Sequence, residues 1–463
     1  MTDPRFDLAP LLGHVTEIAE SYLASLPDRH VGARADAAQV AERLRVELPD
    51  EGEDPGAVVE RLARDVDDGL VASAGPRYFG FVVGGALPAS LAADWLAATW
   101  DQNAGLHALS PAAAAAEQVA GEWMKDLLGI PAEASHGLPT GAGLGNAVAM
   151  AAARHAVLER AGWDVEARGL YGAPEIEVII GAEAHATILT ALQYLGLGRE
   201  RVTRVETDEQ GRVRADALAV AVDTAAGRPV LVCAQAGNVN TGGFDPLEPM
   251  VAAVRRHGDA WLHVDGAFGM WAATVPRLRH LVAGLEGADS WATDAHKWLN
   301  IGYDCGFVAV RDGSAHRSSM ATQAAYLMAS DTNREGWEWV LDSSRRARGF
   351  ALYAGLRSLG RAGVSDLVDR CCRLAARLAD AVASVPEARV LNDVVLNQVL
   401  VRFADDDTQT RRVIERVQAG GEAWMGGTTW QGVAAMRVSV SNWTTTEADI
   451  DRTVDAIRVA AST

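Results

Sequence analysis

Between residues 89 and 350, short apolar runs alternate with longer stretches of helical periodicity, and this constrains the fold more than any other feature of the 463-residue chain. The runs are "EVII" at 177–180, "PVLVCAQ" at 229–235, "WLHVD" at 261–265, "SWATD" at 290–294 and "GFVAV" at 306–310. Helix-like stretches lie at 111–128, at 186–195 and after "DPLEP". Strands that are apolar at consecutive positions are buried on both faces, and intervening helices let them run side by side in one direction. The expectation is an α/β fold, a mostly parallel central sheet flanked by helices, with small molecules bound at the carboxyl ends of the strands.

The flanks read differently. Residues 1–88 carry amphipathic stretches such as "AAQVAERLRVEL", broken by the acidic loop "PDEGEDPG" at 49–56, and form an N-terminal helical appendage. Residues 89–350 make the large domain. Residues 351–463 are helix-rich and end in "AAMRVSVSNW" and the helical "TEADIDRTVDAIRVAA", which suits a small C-terminal α/β domain.

A formal charge of −19 repels phosphate at long range, which argues against nucleic acid or an acidic membrane as partner. Any phosphate has to be held locally. The chain has no apolar run of about 18 residues, and "MTDPRFDLAPLLGHVTE" lacks the marks of a signal peptide, so the expected location is the cytoplasm. Cys233, Cys305, Cys371 and Cys372 show no metal spacing, and the last two fall on a helical apolar pattern that reads as core.

Of 42 lysines and arginines only Lys125 and Lys297 are lysine. Lys125 is expected on a helix surface. Lys297 follows "SWATDAH" at the end of an expected strand, beside His296. In a desolvated cleft a lysine has a lowered pKa and supplies a neutral amine that attacks a carbonyl, which arginine cannot do. Asp265 closes "WLHVD" and His185 follows "EVIIGAEA", so strand ends bring Lys297, Asp265, Asp294, His296 and His185 to one edge. If the carbonyl belongs to pyridoxal phosphate, Asp265 is the anionic partner of its pyridine nitrogen. The same aspartate could instead cap a helix or, with His263, bind a metal, although no further ligands stand at a recognisable spacing, and no metal is expected. The glycine-rich "PTGAGLGNAVAMAAAR" at 139–154 turns into a helix whose N-terminus suits an anion. A dinucleotide fold would place an apolar strand before it, and "AEASHGLPT" is not one. The turn "AQAGNVNTGGFDPLEP" also opens a helix, and could equally be a plain loop.

Taken in order, "RYFGFVVGGALPASLAADWL", "LSPAAAAAEQVAGEWMKDLLGIP", "HVDGAFG", "DAHKWLN" and "SRRARG" resemble the group II pyridoxal phosphate-dependent amino acid decarboxylases, such as aromatic amino acid, glutamate and histidine decarboxylases. The resemblance runs through most of the chain. It implies a fold type I enzyme and a homodimer with shared active sites, the N-terminal segment wrapping the partner. Lys297 then looks like the lysine of the internal aldimine, Asp265 like the partner of the pyridine nitrogen, and His185 like the histidine stacked on the ring. The resemblance places Ala142 and Gly143 in the phosphate turn and His296 beside the phosphate. Asp294, Asn238 and Ala267 fall near the cofactor. Around the substrate it points to Asn103, His107 and Trp339, with Trp424, Trp430 and Arg437 closing the pocket, although such tryptophans are more often core.

One departure stands out. Aromatic amino acid decarboxylases carry a loop tyrosine that protonates the reaction intermediate, and counting back from "RRAR" puts that position on Gly336, with no tyrosine between residues 327 and 352. Without a proton donor, oxidation to an aldehyde becomes an alternative to amine formation, and "DAHKW", which also resembles the sphingosine phosphate lyase branch of the superfamily, adds a carbon–carbon lyase on the same cofactor. No arginine matches the carboxylate-binding motif of aminotransferases. A catalytically silent dimeric scaffold is the alternative of another class.

Overall fold

The structure, a computed structural model, describes residues 8–321 and 334–462. Three helices lead the chain: α1 (Leu8–Ser25), α2 (Ala37–Leu44) and α3 (Pro55–Val66). None of them buries a single residue. Next come α4 (Pro88–Trp100) and α5 (Pro111–Leu128). The start of α5 is set by chemistry in its sequence: Ser110 accepts the Ala113 N–H at 3.1 Å, Pro111 fills the first turn, and Gly129 ends the helix at φ 71°.

The large domain continues through β1 (Ser135–Gly137), α6 (Ala142–Arg160), α7 (Val165–Arg168), β2 (Glu177–Gly181), α8 (Ala186–Tyr194), β3 (Thr203–Val205) and α9 (Ala215–Thr224). It is completed by β4 (Val230–Gln235), α10 (Leu247–His257), β5 (Ala260–Asp265), β6 (Ser290–Asp294), β7 (Gly306–Val310) and α11 (Gly313–Met320). Seven strands form one sheet in the order β1-β7-β6-β5-β4-β2-β3. Only β7 runs against the rest. Every residue of β4, β5, β6 and β7 is buried, as central strands covered on both faces require. The parallel pairing Gln235↔Asp265↔Ala292 aligns the carboxyl ends of β4, β5 and β6, so side chains at those ends meet.

Helix α12 (Gly349–Val382) breaks at Gly360, where φ is 62°. Its first part packs on α4 and α5, with Ser90 donating to the Ala351 carbonyl and Tyr353 stacked on Trp123. Its second part packs on the end of the chain, Arg377 pairing with Asp451 at 2.9 Å. There β8 (Ala388–Val390), β9 (Gln398–Phe403), α13 (Asp407–Gly420), β10 (Gly426–Trp430), β11 (Val433–Ser439) and α14 (Glu447–Ser462) build an antiparallel four-stranded sheet, β10-β11-β9-β8, backed by helices.

Two expectations are corrected. Lys125 is buried, not on a surface: its ammonium donates to the carbonyls of Ala132 and Ala134, at 2.5 and 2.8 Å, tying the loop after α5 back onto the helix. Burial pushes its pKa down. Gly336 is not at a loop tip. It is buried in a tight turn where a Cβ would collide with the Ala104 carbonyl and the Arg345 guanidinium, so no tyrosine fits there. Residues 322–333, whose sequence contains Tyr326, lie outside the described residues. Gly336 therefore gives no reason to expect an aldehyde.

Candidate active site

Asp265 ends β5 and is buried; its Oδ1 accepts the Ala267 N–H at 3.2 Å. Burial pushes its carboxyl pKa up, and nearby His185 and Lys297, with hydrogen bonds from Ala267 and the Asn146 amide, pull it back. A cation placed against this carboxylate would complete its compensation.

His185 caps α8. Its Nδ1 accepts from the Thr187 hydroxyl at 2.8 Å and from the Thr187 N–H at 3.3 Å, which puts the ring proton on Nε2. Burial lowers its pKa, with Asp265 opposing and Lys297 and Arg437 adding to the shift, so the imidazole is neutral near pH 7.

Past the end of β6, the Lys297 ammonium lies 2.9 Å from Asp294 Oδ2. Asp294 Oδ1 accepts the Ala142 N–H, at the first turn of α6, at 2.5 Å and stands 3.5 Å from His296 Nε2. His296 Nδ1 accepts the Cys305 N–H at 3.2 Å, so Nε2 carries the proton and points at the carboxylate. Burial lowers the His296 pKa. The turn into α6 is narrow: a Cβ at Gly141 would sit 3.0 Å from the His296 ring and 3.2 Å from Asp294, and one at Gly143 3.4 Å from Thr187. Ala142, Gly143, His296 and Lys297 thus border one cradle whose backbone and side-chain donors suit a phosphate, with the Asp294 carboxylate set among them. Beside it, buried Asp265 and neutral His185 fit a pyridine ring with its nitrogen at the carboxylate. The donor set suits pyridoxal phosphate.

Two residues that sequence reasoning missed or left at the margin complete the wall. Asn146 bridges the site: its Oδ1 accepts from His263 Nε2 at 2.9 Å, and its amide reaches Asp265 and, at 3.4 Å, Thr187. His263 Nδ1 is held by Ser290 at 3.0 Å, so both its nitrogens are occupied and it is no metal partner for Asp265. Burial drives its pKa down to about 3. Arg437, on β11, enters from the small domain, its guanidinium 6.0 Å from the Phe81 ring. Desolvation lowers its pKa, and no carboxylate among the described residues pairs with it. Phe81 and Val82 have φ of 53° and 59°, strained values for bulky side chains, and Phe81 remains 61% exposed beside Trp424. The next residues lie against Lys297, since a Cβ at Gly84 would strike its carbonyl oxygen.

The side chains of other expected residues make contacts of their own. Asn238 spends its side chain on its own turn, accepting from Asn240 and Thr241 and donating to Glu183. Asn103 Oδ1 accepts the N–H groups of Gly105 and Arg345, fixing a turn. The His107 N–H donates to Glu335, and Trp339 packs between His316 and Arg334. The hydrogen bonds and ring contacts of these last three join neighbouring segments of the large domain and involve none of Lys297, Asp265 and His185. Trp430 is core, and Trp424 stacks between Tyr78 and Phe81.

Residues 38–404 match the family model described as the pyridoxal-dependent decarboxylase conserved domain. The chain is 26% identical over 442 residues to an aromatic-L-amino-acid decarboxylase of Bacillus atrophaeus, covering 92% of this chain and 90% of that protein. It is 30% identical over 350 residues to the human acidic amino acid decarboxylase GADL1, covering 74% and 66%. Its fold superposes on the crystal structure of Oryza sativa TDC with PLP and tryptamine at a TM-score of 0.91, with 23% identity and 98% of each chain covered. With a catalytic-type lysine, a buried aspartate and an anion cradle at one sheet edge, and a family match spanning most of its length, the chain belongs to the pyridoxal-dependent decarboxylases.

Proposed function

We propose that this protein removes the α-carboxylate of an L-amino acid as carbon dioxide, with Lys297, Asp265 and His185 as its catalytic residues. The observation that carries the reading is the meeting of one lysine, one buried aspartate and one neutral histidine where β5 and β6 end side by side. When bound, pyridoxal phosphate supplies a protonated pyridine that accepts the electron pair left by the departing carboxylate. Lys297 Nζ would hold the cofactor, and Asp294 Oδ2, at 2.9 Å, is placed to take or return the proton on that nitrogen. Asp265 would keep the pyridine nitrogen protonated. His185 would flank the ring as a neutral imidazole, its Nε2–H left to donate to a substrate oxygen.

Arg437 supplies the anchor for the substrate. A desolvated guanidinium with no carboxylate partner among the described residues is costly to keep, and a substrate carboxylate compensates it. Asn103, His107 and Trp339 then act on substrate across a dimer. In this reading the dimer forms over α1 and α4, where Leu8, Leu12, Trp95, Leu96 and Trp100 are exposed and an apolar cleft of about 620 Å³ opens. Apolar exposure on this scale favours association. A cytoplasmic location agrees with four buried free cysteines. Among the described residues no helix is long and apolar enough to cross a membrane.

The test is to incubate the cofactor-loaded protein aerobically with a panel of L-amino acids. Carbon dioxide with an equimolar amine is expected. An aldehyde with ammonia and peroxide would shift the proposal to oxidative decarboxylation, and no carbon dioxide from any member would overturn it.

A further inference from the structure

Three donors converge on one buried carboxylate: the Ala142 N–H, His296 Nε2 and the Lys297 ammonium all face Asp294. The first two are the donors that the cradle at the start of α6 offers to a phosphate. We propose that Asp294 is a built-in competitor for the phosphate of the cofactor, engaging the donors that phosphate would use and weakening the binding of pyridoxal phosphate. The proposal rests on the reading of that turn as the phosphate cradle.

The backbone that carries the carboxylate is fixed. The main chain of Asp294 is pinned by its N–H to the Ala267 carbonyl at 3.0 Å, by its own carbonyl to Trp271 Nε1 at 3.3 Å, and by pairing with Gly306. Its side chain is 4% exposed, so water does little to screen it. A phosphate reaching the Ala142 N–H either expels Asp294 Oδ1 from that bond or shares the cradle with a second anion a few ångströms away, and both outcomes cost binding. Lys297 sees the same competition from the other side. Its ammonium stands 2.9 Å from Asp294 Oδ2.

Removing the charge and keeping the shape separates these effects. In Asp294→Asn the amide oxygen can still accept from Ala142, but the competing anion is gone. Apo-protein is titrated with pyridoxal phosphate and with pyridoxal, following tryptophan fluorescence. The variant is expected to bind pyridoxal phosphate about tenfold or more tightly than wild type, with a much smaller change for pyridoxal. Inorganic phosphate should raise the Tm of the apo-variant more than that of wild type. Because each protein's preference for pyridoxal phosphate over pyridoxal is an internal ratio, it remains readable if the variant is somewhat less stable. An unchanged or smaller preference overturns the competition. If cofactor binds but leaves Lys297 unmodified after reduction, the site reading itself fails, whatever the affinities show.

Discussion

Replacing Arg437 by methionine separates a functional charge from a structural one. The guanidinium is desolvated, stacks only against Phe81 at 6.0 Å, and has no carboxylate partner among the described residues. If it receives the substrate carboxylate, the lost charge-assisted hydrogen bond is worth about 1.5–3 kcal/mol. At about 1.4 kcal/mol per tenfold, that lowers kcat/KM by about 10- to 150-fold. Folding should respond in the other sense. Methionine fills similar volume and leaves no carboxylate orphaned, so stability should hold within about 1 kcal/mol or rise. Arg437→Lys should fall between, because an ammonium keeps the charge and loses the two-pronged geometry. Steady-state carbon dioxide release gives kcat/KM, and urea unfolding of the same preparations gives stability. A methionine variant with unchanged kcat/KM would refute the anchoring role. One that loses several kcal/mol of stability would show that Arg437 has a structural partner.

Three further outcomes are expected. Glu117 lies 2.5 Å from Arg345 and 3.1 Å from Arg334, all largely buried, so Glu117→Ala strands two cations and should cost about 3–5 kcal/mol in urea unfolding. Lys125→Met leaves the Ala132 and Ala134 carbonyls without their donor and should cost about 1–3 kcal/mol for each, while an unaffected unfolding midpoint would show that water replaces it. Burial holds His263 and His316 down at about 3, whereas an unfolded histidine titrates near about 6.5. Between those values the unfolded chain binds more protons, so their contribution is present above about pH 6.5 and is lost as pH falls, by up to about 1.4 kcal/mol per pH unit for each histidine. His316→Asn should flatten that slope in urea melts, and an equal slope would assign the acid sensitivity elsewhere.

The central strands were legible because burial on both faces leaves continuous apolar runs. The direction of β7 was not, since "GFVAV" reads alike either way, and β1 and β3 are three residues each, too short for a pattern. Lys297 stood out because the chain otherwise uses arginine. Asn146 did not, because α6 is buried around most of its circumference and offers no polar face against which one inward amide would show. Lys125 misled for a local reason: its helix periodicity says nothing of the loop at 131–134 that folds over it. Gly336 misled because counting back from "RRAR" cannot detect a buried turn closed on Ala104. Asn103 and Asn238 are turn asparagines whose side chains serve neighbouring N–H groups, a role that sequence position alone does not distinguish from contact with a small molecule.

The central claim is that Lys297 carries the cofactor, and a chain with two lysines makes it easy to test. Reduction of the loaded protein with borohydride fixes the cofactor to whichever lysine holds it, and peptide mass mapping then reads the position. The account predicts one cofactor-sized addition, on the peptide containing Lys297, and none on Lys125. Addition at Lys125, or at neither lysine while cofactor remains bound, would contradict it.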